Sequence, residues 1–209
     1  MELRDRTKTH VLRRLKQDIL DLPEKIITPV YLNLKSKAYE ELMGEYYDWI
    51  EDESEKKSLT VQFSKLMKVR QIIAESKIKE TCEIAENIIE QGKKVIIFTN
   101  FTDTLNKIAE HFGKSAVTLD GKMSKPARQN SVDQFQENDK IKVFVGNLKA
   151  AGVGITLTSA EAVIMNDLSF VPSDHSQAED RAYRYGQKSN VSVFYPIFDN
   201  SIEGIIYDI

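Results

Sequence analysis

Two arginines three residues apart, Arg181 and Arg184, stand in the stretch SQAEDRAYRYGQK, introduced by an acid pair and closed by Gly186 and Gln187. On a helix, Gln177, Arg181 and Arg184 fall at i, i+4 and i+7 and share one stripe. Ala178, Ala182 and Tyr185 form a neighbouring, mostly apolar stripe able to pack inward. Ser176 and Glu179 have capping-box spacing and Gly186 suits the C-cap, so the pattern predicts a short, well-bounded helix. Two chemistries fit. One is a wet surface carrying an Asp180–Arg184 pair, worth about 0.3–0.5 kcal/mol. The other is a pair of rigid guanidinium forks aimed at a polyphosphate, where arginine stabilises charge developing on a transferred phosphoryl group.

Two other phosphate-handling patterns do not hold. Gly113-Lys114-Ser115 imitates a P-loop, but Ile108 stands where that loop needs a glycine, and the tripeptide precedes a strand pattern instead of following one. Asp52-Glu53-Ser54 imitates an acidic magnesium box, yet it lies in a charged run with no apolar strand before it and reads as solvated. The sequence therefore lacks the two elements that hold a nucleoside triphosphate and its metal. Cys82 is the sole cysteine, and His10, His111 and His175 are scattered, so neither an internal disulfide nor a metal site is expected. Asn147 to Thr156, rich in small residues (Ala150, Ala151, Gly152, Gly154), reads by itself as a tight turn. Thr99 and Asn100 read by themselves as caps of a helix starting near Asp103.

The elements that must position these residues follow from periodicity. From Lys94 onward, the β-branched runs KVIIFTN, AVTLDG, KVFVGN, AVIMND and VSVFYPI read as strands. Between most of them lie the helical patterns TDTLNKIAEHF, PARQNSVDQFQE and SQAEDRAYRY. Strands alternating with helices imply βαβ crossovers and a mainly parallel sheet covered on both faces, an α/β fold. Ser76 to Gln91 predicts one more helix on the sheet, stopped by Gly92. Residues 1–58 differ: alternation of Val30, Leu32 and Leu34 predicts a short strand after Pro29, and Tyr39, Leu42, Met43, Tyr46, Tyr47 and Ile50 mark a helix ended by EDESEKKS. That part is expected to be a helical appendage or connecting segment, with one domain over 59–209.

With 209 residues, 41% of them hydrophobic, the chain can bury a sizeable core, and 29% charged residues suit a soluble globular protein. No apolar run approaches the roughly 20 residues that span a bilayer, and MELRDRTKTH lacks a signal-peptide core, so an intracellular setting without membrane is expected. A net charge of -3 weighs against a free-standing strong nucleic-acid binder. The charge is uneven, however, with Arg4, Arg6, Lys8, Arg13, Arg14 and Lys16 crowded at the start and Glu51 to Glu55 forming an acidic knot.

A resemblance decides between the readings of the arginine pair. QAEDRAYRYGQ resembles motif six of the Swi/Snf-type ATPases, helicase-related DNA translocases of superfamily two. HVLRRLKQDILDLPEKIITPVYLNL is similar to the segment that links the two motor lobes of that family. KVIIFTNFTDTLN resembles motif four, LDGKMSKPARQNSVDQFQ the block that follows it, and VGNLKAAGVGITLTSAEAVIMND motif five. Their order agrees with the family from about His10 to Tyr207, and VRQIIAESKIKE is most similar to the compact annealing-helicase branch or its bacterial and viral relatives.

The resemblance implies a RecA-like three-layer α/β/α lobe, the C-terminal one of two lobes that clamp ATP and track along double-stranded DNA. ATP and Mg2+ would be held mainly by the N-terminal lobe, and this chain by itself would be inactive. It implies that Arg181 and Arg184 are arginine fingers, that Gln177 orients or senses the nucleotide, and that Gln187 supports that surface. Gly152 and Gly154 belong to motif five, which couples DNA to the ATP cleft, and Asp167 matches the acid that follows it. Asn147, Lys149, Thr99, Asn100, Gly121, Lys122 and Ser124 would meet the DNA backbone, and Arg128 would do so or hold its own helix. Lys149 replaces the usual arginine, Asn147 and Lys122 replace common serines, Thr156 an asparagine, and Phe170 a tryptophan before the retained Pro172. Arg13 and Arg14 match paired arginines that brace the lobes, or form a solvated basic face. A monomer, located in the cytoplasm or nucleoid or in a nucleus, is the implied working unit. The alternative is a binding module for DNA or protein that keeps the fold without the motor.

Overall fold

A computed structural model of the chain describes residues 21–51, 59–151 and 154–207. Arg13, Arg14, Asp52 to Ser54, Gly152 and the expected boundary at 58/59 lie outside the described residues. The elements in chain order are β1 (Lys25–Leu32), α1 (Lys37–Glu51), α2 (Leu59–Ser76), α3 (Ile78–Glu90), β2 (Val95–Thr99) and α4 (Thr102–Phe112). They continue with β3 (Ala116–Leu119), α5 (Lys125–Glu137), β4 (Val143–Asn147), the single turn α6 (Leu148–Ala151), β5 (Ala162–Met165), α7 (Pro172–Ala182), β6 (Val191–Phe198) and α8 (Ile202–Tyr207).

The strands form one six-stranded sheet in the order β1-β6-β5-β2-β4-β3, and every described pairing is parallel. Strands buried on both faces carry continuous apolar runs, which is why β2, β4 and β5 read VIIFT, VFVGN and AVIM. The two-residue period sorts them. Ile96 and Phe98 face one core with Val132 and Phe135 of α5, Ala178 and Ala182 of α7 and Ile206 of α8. Val95 and Ile97 face the other core with Cys82, Ala85 and Ile88 of α3 and Leu105 and Ile108 of α4. Two helical layers thus sandwich the sheet, as a RecA-like lobe requires. Gly146 in β4 is needed for space: a Cβ there would stand 3.1 Å from Phe98 and 3.2 Å from Phe144. A third cluster, Leu34, Val69, Ile73 and Phe198 with Leu42 against it, joins α1 and α2 to the end of β6.

Three details differ from the sequence expectations. The strand placed after Pro29 begins at Lys25 and includes the proline, which an edge strand tolerates because one side of its ladder is open. This strand is an integral part of the sheet, paired along its length with β6. The helix expected over 76–91 starts at Ile78, while the preceding α2 was not anticipated; Gly92, at φ +82 and donating to the Ile89 carbonyl, stops α3 as foreseen. The arginine helix starts at Pro172, which as N1 needs no amide partner, and stops at Ala182.

Candidate functional site

The carboxyl ends of β2, β4 and β5 are tied by one hydrogen-bonded network. Asp167 accepts from the Thr99 hydroxyl at 2.6 Å, from the Asn100 side-chain amide at 2.9 Å, and from the Asn100 backbone N–H at 2.8 and 3.0 Å. The Asn147 amide donates to the Asn100 carbonyl at 3.0 Å, and its oxygen accepts from the backbone of Lys149 and Ala150, capping α6. One layer below, Asn166 accepts from Thr81 of α3 and donates to the Ala74 carbonyl of α2. Parallel strands converge their carboxyl ends at one edge, so residues far apart in sequence meet there.

Within that network two of the expected site residues are buried. Thr99, expected to meet the DNA backbone, is 0% exposed, and its hydroxyl serves Asp167 and the N–H of Phe101. Asp167, which matches the acid after motif five, has a buried carboxylate occupied by Thr99 and Asn100. Both hold Asn100, which remains partly open, in place.

The arginines meet a different segment. Arg181 lies in the last turn of α7, and its Nη1 donates to the Ile155 carbonyl at 3.4 Å, while its own carbonyl accepts the Leu157 N–H at 2.9 Å. Arg184 lies beyond the helix end, not at i+7 within it, and its Nη1 donates to the Thr156 hydroxyl at 3.0 Å. Both guanidinium groups therefore converge on 155–156, the strip that follows Gly154. Gly154 is exposed at φ +65 with open space around it, so backbone conformation and not room calls for glycine. Partial burial lowers the Arg181 pKa, the charge of Arg184 adds to this, and Asp180 opposes it. Arginine stays charged at neutral pH regardless. Gln177, one turn before Arg181, is exposed on the same helix.

One correction concerns this helix. Ser176 and Glu179 do not form a capping box, because they lie well inside α7; Glu179 turns inward instead. Gln187, expected to support the nucleotide surface, is buried and spends its side chain on backbone: it donates to the carbonyls of Ala160 and Ala182 and accepts from the N–H groups of Lys188 and Ser189. It fixes the turn after the arginines.

Lys149 is exposed at the end of β4, and Gly121, Lys122 and Ser124 are exposed beyond β3. The Asp120 carboxylate accepts from the N–H groups of Lys122 and Met123, and Ser124 caps α5. Arg128, left open between two roles, holds this loop: its Nε donates to the Met123 carbonyl at 3.0 Å and its Nη2 to the Gly121 carbonyl at 2.8 Å. Among the described residues, no three His, Cys, Asp or Glu come together as a metal site.

Sequence reasoning missed several buried ionic groups. Arg70 of α2 donates to the Leu168 carbonyl and lies 4.7 Å from the Phe170 ring centre, bracing the loop between β5 and α7. Its signal was present: Leu66, Met67, Ile73 and Ala74, its helical neighbours, are all apolar. Glu179 accepts from the Tyr195 hydroxyl and from Lys25 Nζ, both at 2.6 Å. Lys77 pairs with Glu203 at 2.7 Å in full burial.

His175 of α7 accepts the Ser169 N–H at its Nε2 over 2.7 Å, which needs an unprotonated nitrogen. Burial holds its pKa below the usual value, helped by Arg70 and opposed by Glu179, Asp174 and Asp167. The unfolded chain protonates its histidine near pH 6.5, so below that pH it binds more protons than the folded chain, and stability is lost as pH falls. The thermal midpoint is expected to drop between about pH 7.5 and 5.5, and to drop less in His175→Gln, which keeps an acceptor and cannot titrate.

The helicase conserved C-terminal domain profile matches residues 76–186, more than half of the 209 residues. An uncharacterized ATP-dependent helicase of Mycoplasma pneumoniae is 34% identical over 96% of this chain and 21% of its own length. The SWI/SNF-related matrix-associated actin-dependent regulator of chromatin subfamily A-like protein 1 homolog of Caenorhabditis elegans is 33% identical over 96% of this chain and 30% of its own. The chain thus spans less than a third of these relatives. Among solved structures, the Sulfolobus solfataricus SWI2/SNF2 ATPase core in complex with dsDNA is similar at TM-score 0.74 and 32% identity, over 99% of this chain and 48% of that one.

Proposed function

This chain belongs to the helicase conserved C-terminal domain family, of the Swi/Snf type, and on that premise we propose that it is the second motor lobe of an ATP-driven translocase or remodeller on double-stranded DNA. The observation that carries the reading is the convergence of Arg181 and Arg184 on 155–156. Two guanidinium forks with Gln177 beside them form a donor set suited to phosphate oxygens and to no metal. ATP is the substrate, bound by an N-terminal RecA-like lobe that also holds Mg2+, which offsets charge on the phosphates. Closure of the two lobes excludes water, and the arginine charges then act in a medium where they count for far more than on a wet helix.

DNA is met through its backbone, because a motor that reads base edges cannot move along them. Lys149, Lys122, Gly121, Ser124 and Asn100 supply that face, which is supported by the exposure of the first four and the partial opening of Asn100 at the carboxyl ends of the strands. Arg128 shapes the loop from behind. Residues 1–58 are the connection to the first lobe, with β1 as its anchorage in this one. One copy of the two-lobe protein is the working unit. No helix among the described residues is long and apolar enough to cross a membrane.

The testing experiment joins the chain to a P-loop lobe and titrates double-stranded DNA while ATP turnover is followed. The chain by itself is expected to give no turnover, and the joined protein a DNA-stimulated one. Lys149→Ala is expected to raise the DNA needed for half-stimulation equally for all sequences and to reduce its salt slope by about one. Robust turnover by the chain by itself, or joined turnover indifferent to DNA, rejects the reading in favour of a binding module.

A further inference from the structure

The carboxylate of Glu179 is 5% exposed, and each of its oxygens has a donor from a different strand: Tyr195 of β6 and Lys25 of β1, each at 2.6 Å. Lys25 also lies 5.5 Å from the ring centre of Tyr183. Tyr183 is the residue that ends α7, and its N–H closes the last turn on the Glu179 carbonyl at 2.9 Å. One cation on the edge strand therefore bears on α7 at two points a turn apart, and those points bracket Arg181. Lys25 itself is held at the start of β1, where Glu24 donates to Asn190 and accepts from the Val191 N–H.

Packing does not demand this arrangement. The pair is part-buried, with the Lys25 side chain 26% exposed; an ion pair reached by solvent adds little to stability, so its value lies in fixing one arrangement over others. Here the arrangement fixed is the direction of the helix end from which the arginines emerge. Lys25 falls inside the stretch that resembles the inter-lobe segment, so this contact connects that segment to the arginines through a single side chain.

We propose that Lys25 is a positioning residue for ATP turnover: by gripping Glu179 and the Tyr183 ring, it transmits the placement of the inter-lobe segment to Arg181 and Arg184. The inference rests on the reading of those arginines as fingers. A displacement of about 1 Å in a reacting group costs up to ~10²-fold in rate. In the two-lobe protein, Lys25→Met is expected to lower kcat of DNA-stimulated turnover by about 10- to 100-fold with little change in KM for ATP, and Lys25→Arg to restore most of it. The double variant Lys25→Met with Glu179→Gln removes the stranded carboxylate. It is expected to regain the thermal midpoint of the unsubstituted protein while kcat stays low.

The proposal is overturned if Lys25→Met keeps full kcat, or if the double variant regains kcat together with its midpoint, which is the behaviour of a packing contact. Arg181→Ala is measured alongside. If Arg181→Ala collapses turnover and Lys25→Met does not, this inference alone fails. If Arg181→Ala has no effect, the arginine-finger reading fails and takes this one with it.

Discussion

Arg181→Ala in the two-lobe protein is expected to lower DNA-stimulated ATP turnover by ~10³-fold or more while nucleotide binding survives, with Arg184→Ala acting in the same direction. The two groups need not contribute equally. Arg181 is partly buried, where a charge is costly to hold and correspondingly effective once the cleft closes. Arg184 also holds the Thr156 hydroxyl, so its loss loosens the strip that both arginines share. Arg181→Lys is expected to recover little, because an ammonium is a point charge without the planar fork that meets two phosphate oxygens. Turnover at saturating ATP and DNA, with nucleotide affinity measured separately, checks this. Indifference to both substitutions makes the helix an ordinary charged surface.

The second large effect concerns stability. Lys77 is 0% exposed and donates to Glu203 at 2.7 Å and to the Pro196 carbonyl at 2.9 Å. Lys77→Met leaves the Glu203 carboxylate, 3% exposed, with a long 3.4 Å contact from the Phe198 N–H. Breaking such a pair from one side costs about 3–5 kcal/mol, to be read from denaturant unfolding of the chain. Lys77→Met with Glu203→Leu is expected to recover most of that loss. The pH dependence has a definite sign. Burial pushes the Glu203 pKa up, with Lys77 working against it, so removing Lys77 raises it further. Above the ordinary glutamate value of about 4.3 and below the folded pKa, the folded chain binds more protons than the unfolded one. The Lys77→Met variant is therefore most stable in acid and weakens as pH rises through that window.

What the sequence revealed and what it hid divide along the range of the interactions. β2, β4 and β5 were legible because burial on both faces writes a short apolar run, a local property. α4 was legible to its ends, since its stripe of Leu105 and Ile108 repeats at helical spacing and Gly113 follows it. The start of α7 was misread because Ser176 and Glu179 mimic a cap, while the true start uses Pro172. No local pattern could have shown that Glu179 instead answers Lys25, 154 positions away. α2 was hidden for a related reason: it packs on α1 through Val69 and Ile73, and its apolar stripe is interrupted by Arg70, which answers the β5–α7 loop. In the site, Arg181 and Arg184 were legible as types and spacing, but their common target at 155–156 was not. Thr99, Asp167 and Gln187 were recognised as belonging to the region, yet burial made them its framework.

The parallel ladder between β1 and β6 has a consequence for how the lobe comes into being. The bond from Glu24 to Asn190 spans 166 positions, and β1 has no other neighbour among the described strands. During synthesis β1 leaves the ribosome first of the strands and its partner leaves last. Until then Ile26 and Ile27 lack a ladder and β5 is a bare sheet edge, a state prone to wrong pairings. Closing so long a loop adds only slowly to the entropy cost, so the burden falls on the folding rate more than on final stability. The grip of Lys25 on Glu179 forms at that last step. A newborn lobe consequently leaves the end of α7 unbraced at Lys25 until the sheet is complete.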